Sequence, residues 1–600
     1  MKILKSLIIS LLLVFVSVHA YAELWTGVID EYRATDWADA GADIVDYETA
    51  CTTSACNRIW CGINTAGTSV CDAYPNGQDS TSITAANINT AISGAPDSTV
   101  VRLPACTRTM STGLSLNRDN VILRGLGADQ TILNFGTTIS CAYETMICVG
   151  GGVYADIYGT PPQTSWTDGY TKGTEDITVS SASSITVGNL VFLAENQDSS
   201  DGGYYYVSGS PAGWAYGDRR QLQVSEVTAK NGNVVTIDPP VIGPDYVSGK
   251  SPIAYWSSSV AKKGIGIEDL RINNTSSNES ANNITMTWVK DCWVKGITST
   301  YAGKGHVTTF QTVHVTLKDS FFYGSQAYDS QNYGIQPQAS TLMLIENNIF
   351  QRITSGVVFN GGNPGAVIAY NYMLRMDFSG GDWWGGIANH DAGSDYVLFE
   401  GNYNPAARTD DINGTHNTNT FYRNFWSGND PTKAWSPTTG TPIIIEDTSR
   451  IFNIIGNVLG TNSIHTTYGS IYDICSTCSA SLMRWGNYDT GTDTVRWESS
   501  EVPSGIAQFA NAVPSDHTLP PSMYLSSKPD FFEDVTWPPI GPDVTGGDVT
   551  GWDGYVNEIP AKICFDGLST GGDGIKILDA DECYPTVAVP ANAIQGVTIN

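Results

Sequence analysis

The chain has 600 residues, with 31 Lys and Arg against 60 Asp and Glu, a formal net charge of −29 at pH 7. That balance excludes nucleic acid, which needs a basic footprint, and disfavours a polyanionic ligand unless a bound cation or a local basic cleft reverses the field. Only 15% of the residues are charged while Gly is abundant, the texture of an extracellular β-rich chain and not of a disordered acidic one.

Lys2 and Lys5 precede the apolar run LIISLLLVFV, and Ala20-Tyr21-Ala22 supplies a small-x-small cleavage pattern. Residues 1–22 therefore read as a secretory signal peptide cut near Ala22. Cleavage removes two lysines, leaving 29 basic against 60 acidic residues, a net of −31. No other apolar run reaches membrane-spanning length, so the expectation is a secreted chain, extracellular or periplasmic. All twelve cysteines lie beyond the leader, and an even count in an exported chain favours disulfides. Local pairs are expected within Cys51–Cys71, for Cys141/Cys148 and for Cys564/Cys583. Cys475-x-x-Cys478 has no second pair with zinc spacing, and Cys292 is expected in the core.

Residues 23–80, irregular and cysteine-bearing, read as an N-terminal cap. Residues 81–164 read as the first coils of a solenoid, with a short amphipathic helix, a strand ending Leu-Pro-Ala, and NVILRGLGADQTIL at 120–133. Residues 165–250 have strand–turn–strand phrases with Asn231-Gly232 as a hairpin signal, and read as a β-rich insertion. Its aromatic loop at 202–217 could line a sugar groove.

From 251 to 500 one phrase recurs: alternating apolar residues, a long or polar residue, then Asp or Asn, as in GIEDL at 266–270, LIENN at 344–348 and FEGNY at 399–403. The repeated residues are Asp269, Asp291, Asp319, Asn347, Asn371, Asn402, Asn424, Asn457 and Asn487, at intervals between 22 and 33 residues. Period-two alternation is the half-buried strand signal, and self-similarity at this period means stacked repeats. Between Asn347 and Asn371 a whole coil parses as NIFQRI, a turn, VVFNGG, a turn and AVIAYN. Three short strands per coil make a parallel β-helix, whose Asp/Asn would stack at one bend. The Gly-Asn pairs of the last coils leave that register open by one residue. Residues 501–600 lose the period; Pro-rich and aromatic, they suit an extended segment wrapped on the solenoid, which needs its ends covered.

RATDWADAG at 33–41 and the segment 87–135 resemble the first coils of the pectate-lyase-superfamily, or glycosyl-hydrolase-28-related, right-handed β-helices. The resemblance implies that fold and leaves the chemistry open, since the superfamily holds lyases, hydrolases, epimerases and non-catalytic proteins. The Asn-Thr-Asp, Gly-His-Gly and Arg-Ile-Lys motifs of family-28 polygalacturonases are not recognisable here.

Aligning coils on VVFNGG places HVTTFQ (306–311), YGIQPQ (333–338), GIANHD (386–391), GTHN (414–417) and PIIIED (442–447) on one strand position. The face so formed carries His306, Gln336, Asn360, His390, Asp391, His416 and Glu446. The stretches DFSGGDWWG (377–385) and ARTDDIN (407–413) read as loops before it, bringing Trp383, Trp384, Arg408, Asp410 and Asp411. Trp beside carboxylates suits a sugar, whose apolar face stacks on indole while its hydroxyls bond to acids. The expected catalytic set is His390, Asp391, Asp410, Asp411 and His416, with Trp383, Trp384, Arg408, Asn360 and Gln336 binding substrate. The Asp cluster could hold calcium. The chain thus reads as an exported polysaccharide-active protein, with uronate-type β-elimination slightly favoured by the resemblance over hydrolysis by paired carboxylates. A non-catalytic glycan-binding or structural surface protein is the reading from another class.

Overall fold

A computed structural model describes residues 23–45, 47, 61–63, 69–71, 83–95, 97–151, 161–203, 205–209, 218–257, 259–329, 331–376, 385–430, 440–447 and 449–585. The chain is a right-handed parallel β-helix. Its coils lay strands into three long sheets, two of twelve strands and one of eleven, parallel apart from short antiparallel additions at Ile139–Cys141 and Thr494–Arg496. The first sheet runs from Thr99–Arg102 to Met483–Trp485 and the second from Cys106–Met110 to Asn487–Asp489. The third includes Tyr143–Gly150, Gly305–Phe310 and Ile443–Ile445. Alternation sends one apolar residue in two inward, so that Leu123, Ile267, Val294, Leu317, Ile345, Ile368, Phe399 and Phe421 meet partners from the other sheets in one continuous core. The coil parsed from sequence forms as Ile349–Gln351, Ser355–Phe359 and Val367–Ala369.

The bend between the first and second sheets explains the recurring Asp and Asn, with one correction. Two adjacent columns stack there. The first is left-handed in nine successive coils: Asp269, Gly296, Asp319, Asn347, Tyr370, Gly401, Arg423, Gly456 and Gly486 have φ between +51° and +68°. The second is the amide ladder, Asn348, Asn371, Asn402, Asn424, Asn457 and Asn487. In it Asn371 Oδ1 accepts from Asn348 N and Nδ2 at 3.0 and 3.1 Å, and its own Nδ2 reaches Asn402 Oδ1 at 3.0 Å and Ile345 O at 2.8 Å. Asn347 therefore stands beside the ladder, donating to Asp319 Oδ1 at 2.8 Å. Asp291 lies at a different corner, in a left-handed column with Gly264, His314 and Leu342. Left-handed backbone and stacked amides favour the same residue types, so the Asn-Asn of LIENN does not reveal its register by composition.

Asn371→Leu strands the Asn348 amides and the Ile345 carbonyl, at about 1–3 kcal/mol per buried unsatisfied group. Melting is expected to drop far more than for Gln351→Ala, a change on the half-buried outer face of the second sheet. Equal melting of the two variants would refute the ladder.

The outer faces are covered unequally. Trp25 and Trp37 from the N-terminal segment, with Leu519, Met523, Tyr524 and Phe532 from the C-terminal one, cover part of the first sheet. Ile540, Val556, Ile559 and Phe565 cover the second. The chain from Gln163 to Trp256 forms a closed six-stranded barrel with its own core. Its Phe192, Leu222 and Tyr255 pack with Phe310 and Ala339, and its loop at 206–209 reaches the chain from Asn413 to Asn417. Disulfides join Cys141 to Cys148, Cys475 to Cys478 and Cys564 to Cys583, while Cys292 is a buried free thiol; the side chains of Cys51–Cys71 lie outside the described residues. No helix among the described residues is long and apolar enough to cross a membrane.

Candidate functional site

Four neighbouring strands of the third sheet build an outer face: β1 (Ser355–Phe359), β2 (Ile387–Asp391), β3 (Ala407–Asn413) and β4 (Ile443–Ile445). Ile387, Ala407 and Ile443 align across β2, β3 and β4 and point into the core. Their successors Ala388, Arg408 and Ile444 align and point outward. Two residues on, His390 stands beside Asp410, with Glu446 next. Parallel rungs are about 4.8 Å apart, so matching side chains on adjacent strands touch.

This arrangement corrects the strand alignment of one coil. ARTDDIN is the strand itself, and GTHN is the turn after it. A dense run of charge looks like a loop, and a bulge hides the period of two. Between the pairs Asn389–Thr409 and Asp391–Asn413, β2 advances two residues while β3 advances four. The two extra residues form a wide bulge that leaves Asp411 and Ile412 exposed, and Ile412 N caps it by donating to Asp410 Oδ1 at 3.1 Å.

At the mouth of the bulge, His390 Nδ1 lies 2.6 Å from Asp410 Oδ2 and Nε2 lies 2.8 Å from Asn413 Nδ2. The His390 side chain is 15% exposed and that of Asp410 only 1%. Burial pulls the imidazole down, but the Asp410 hydrogen bond and the charges of Asp410 and Asp391 outweigh it and raise its pKa above the ordinary value. Asp391, 4% exposed, is pushed up to about 7 by burial and by Asp410, against the opposing charges of His390 and Arg220. Arg408 Nη2 lies 2.5 Å from Glu446 Oε1, and both side chains reach solvent.

Other expected site residues sit elsewhere. His416 follows the bulge but is fully buried and does not open onto this face. Neither ring nitrogen has a well-formed hydrogen bond, and burial holds the imidazole down at about 4 despite Asp410. His306 is also interior, between Ser299 Oγ at 2.8 Å and Gly324 O at 2.9 Å, and burial holds it at about 3. The alternation that placed both on the outer face breaks at corners, which a strand-parity argument does not see. Gln336 and Asn360 occupy lower rungs of the same outer rows but are 3% and 5% exposed, too covered to face a ligand. Trp383 and Trp384, with Asp377 and Asp382, lie outside the described residues. Among the described residues no three His, Cys, Asp or Glu side chains converge to hold an ion. Asn413 was absent from the expected set; its place in ARTDDIN held no signal until the bulge turned it back on His390.

No family model matches the chain, and no curated protein does. Solved structures share its fold. The tailspike gp61 of Pseudomonas phage phi297 matches with a TM-score of 0.46 and 14% identity, over 76% of this chain and 72% of that one. The A-module of the Azotobacter vinelandii mannuronan C-5 epimerase AlgE6 matches at 0.37 and 12%, over 67% and 87%. An alginate lyase from Paenibacillus sp. FPU-7 matches at 0.31 and 9%, over 62% and 92%. The three long parallel sheets themselves establish a parallel β-helix. Likeness at these values says nothing of the chemistry.

Proposed function

We propose that this chain is an exported enzyme that cleaves a polysaccharide on the upper coils of the third sheet, with His390 moving the proton. The observation that carries the reading is the His390–Asp410 pair: a partly exposed imidazole backed by a buried carboxylate 2.6 Å away, beside the exposed bulge of β3. A row of stacked rungs offers a linear polymer successive contacts in line with its axis. Arg408 and Glu446 beside it supply a cation and an acid within the same reach.

Elimination is the first reading because His390 supplies the single base it needs. Asp391 and Asp410 are 4% and 1% exposed, while Asp411 and Glu446 reach solvent, so hydrolysis by paired carboxylates is the second reading. In β-elimination one base suffices at the carbon next to a uronate carboxyl. Neutral His390 takes that C5 proton, the electron pair forms the C4–C5 double bond, and the C4–oxygen bond breaks. The leaving oxygen then takes a proton from water or from the imidazolium. Arg408 neutralises the sugar carboxylate once it exchanges Glu446 for substrate, supplying locally the positive field that the acidic chain otherwise lacks.

The test is a panel of acidic and neutral polysaccharides followed by two signals. Ultraviolet absorbance of an unsaturated uronate together with new reducing ends is expected for at least one acidic polymer. Reducing ends alone would overturn elimination in favour of hydrolysis. Silence across the panel, with retardation of the protein by a glycan in gels, would make the chain a binding protein.

A further inference from the structure

We infer that Asn413 is a positioning residue for His390, turning its side-chain amide over as the imidazole gains and loses a proton. The inference rests on the reading of His390 as the proton-moving group and adds to it a device that keeps the ring in place through both protonation states.

The argument starts from the two ends of the ring. An ionised carboxylate only accepts, so Asp410 at 2.6 Å requires the Nδ1 proton. In the neutral ring Nε2 is then the acceptor, and the Asn413 amide nitrogen faces it at 2.8 Å as donor. A proton arriving at Nε2 would set donor against donor. Rotating the amide by half a turn brings Oδ1 to the new N–H instead. Asn can make either bond from one position because its oxygen and nitrogen are nearly isosteric. The amide must also give up its hydrogen bond as the substrate proton arrives, so the lone pair is shielded until a sugar displaces it.

Asn413 reaches that place by two devices. The two-residue bulge carries the chain out past Asp410 and back to pair with Asp391. The barrel then pins the return. A Cβ on Gly209 would come within 2.7 Å of the Asn413 carbonyl oxygen, so the barrel loop presses its bare backbone there. Thr415 N donates to Ser208 O at 2.9 Å, and Asn417 Nδ2 donates to Tyr206 O at 2.9 Å. The insertion thereby anchors the strand end that holds the imidazole. The charged and titratable groups acting on His390 are Asp410 and Arg408 from β3, Asp391 from its own strand and His416 from beyond the bulge, and around these stand Arg220 of the barrel, Glu446 beyond β4 and Tyr333 of a lower rung.

The experiment titrates the His390 ring by NMR in the full secreted chain without substrate, assigning its resonance as the one lost in His390→Gln. Asn413→Asp, which only accepts, should raise the titration midpoint by about one unit or more, whereas Asn413→Ala, which takes a partner from both protonation states, should move it far less. Melting is measured on both, and only folded variants are read. With a substrate in hand, the low-pH limb of kcat/KM should rise with the midpoint in Asn413→Asp and stay near the parent in Asn413→Ala, with kcat falling and KM little changed in both. An unmoved midpoint in folded Asn413→Asp would overturn the inference, as would an equally large shift in folded Asn413→Ala. The Asn413→Asp shift alone, in a protein that cleaves no polysaccharide, would sink the enzymatic reading while upholding the role of Asn413.

Discussion

His390→Gln is expected to lower kcat/KM by about 100-fold or more, because a positioned general base contributes roughly 10²–10⁴. In free energy a 100-fold loss is about 2.7 kcal/mol of transition-state stabilisation. Gln is the informative replacement, since its amide can still donate to the buried Asp410 and melting should stay close to the parent. His390→Ala should lose as much activity and also melt lower, because it leaves the Asp410 carboxylate buried without its donor. The pH dependence has a definite sign. A base works only when neutral, and the His390 pKa is raised, so activity should fall as pH drops through a value above that of an ordinary imidazole. Asp410→Asn removes the principal raising partner and should move that limb to lower pH. Parental activity in His390→Gln would place the chemistry on another residue.

Arg33→Ala is expected to give the largest loss of stability. Arg33 is fully buried, and its guanidinium donates to Asn453 Oδ1 at 2.7 Å, Phe509 O at 2.8 Å, Phe452 O at 2.9 Å and Ser481 O at 3.0 Å. One side chain thus ties the N-terminal segment to two coils and to the C-terminal wrap. Burial pulls its pKa down to about 9 against the opposing charge of Asp30, so desolvation of the cation is not fully offset, and the cost of the substitution lies in the buried acceptors it strands. At about 1–3 kcal/mol per stranded acceptor the total is on the order of several kcal/mol. Lys presents no planar fork and should rescue little. Lys262→Ala, which removes an exposed pair with Asp119, should cost at most about 1 kcal/mol. Equal melting of the Arg33 and Lys262 variants would contradict this clamp, as would protease resistance of residues 23–45 in Arg33→Ala.

The β-helix was legible in the sequence because its determinants are local. Alternation of period two, an Asp or Asn every coil and short turns are each decided within about five residues, and stacking then repeats one solution. LIENN shows where local determinants stop, since a left-handed corner and an amide ladder both accept Asn, and only the hydrogen bonds to Asp319 and Asn371 separate Asn347 from Asn348. The pair at the candidate site lies further beyond local reach. His390 and Asp410 are 20 residues apart, and they meet only because the coils stack in one register and a bulge absorbs two residues. The same stacking turned His416 and His306 away from solvent, which residue type alone could not forecast. Which face stays open was likewise decided by tertiary packing. The terminal segments and the barrel cover the sheets through contacts hundreds of residues apart in sequence, such as Arg33 with Asn453, and among the described residues His390 keeps its exposure beside the bulge of β3.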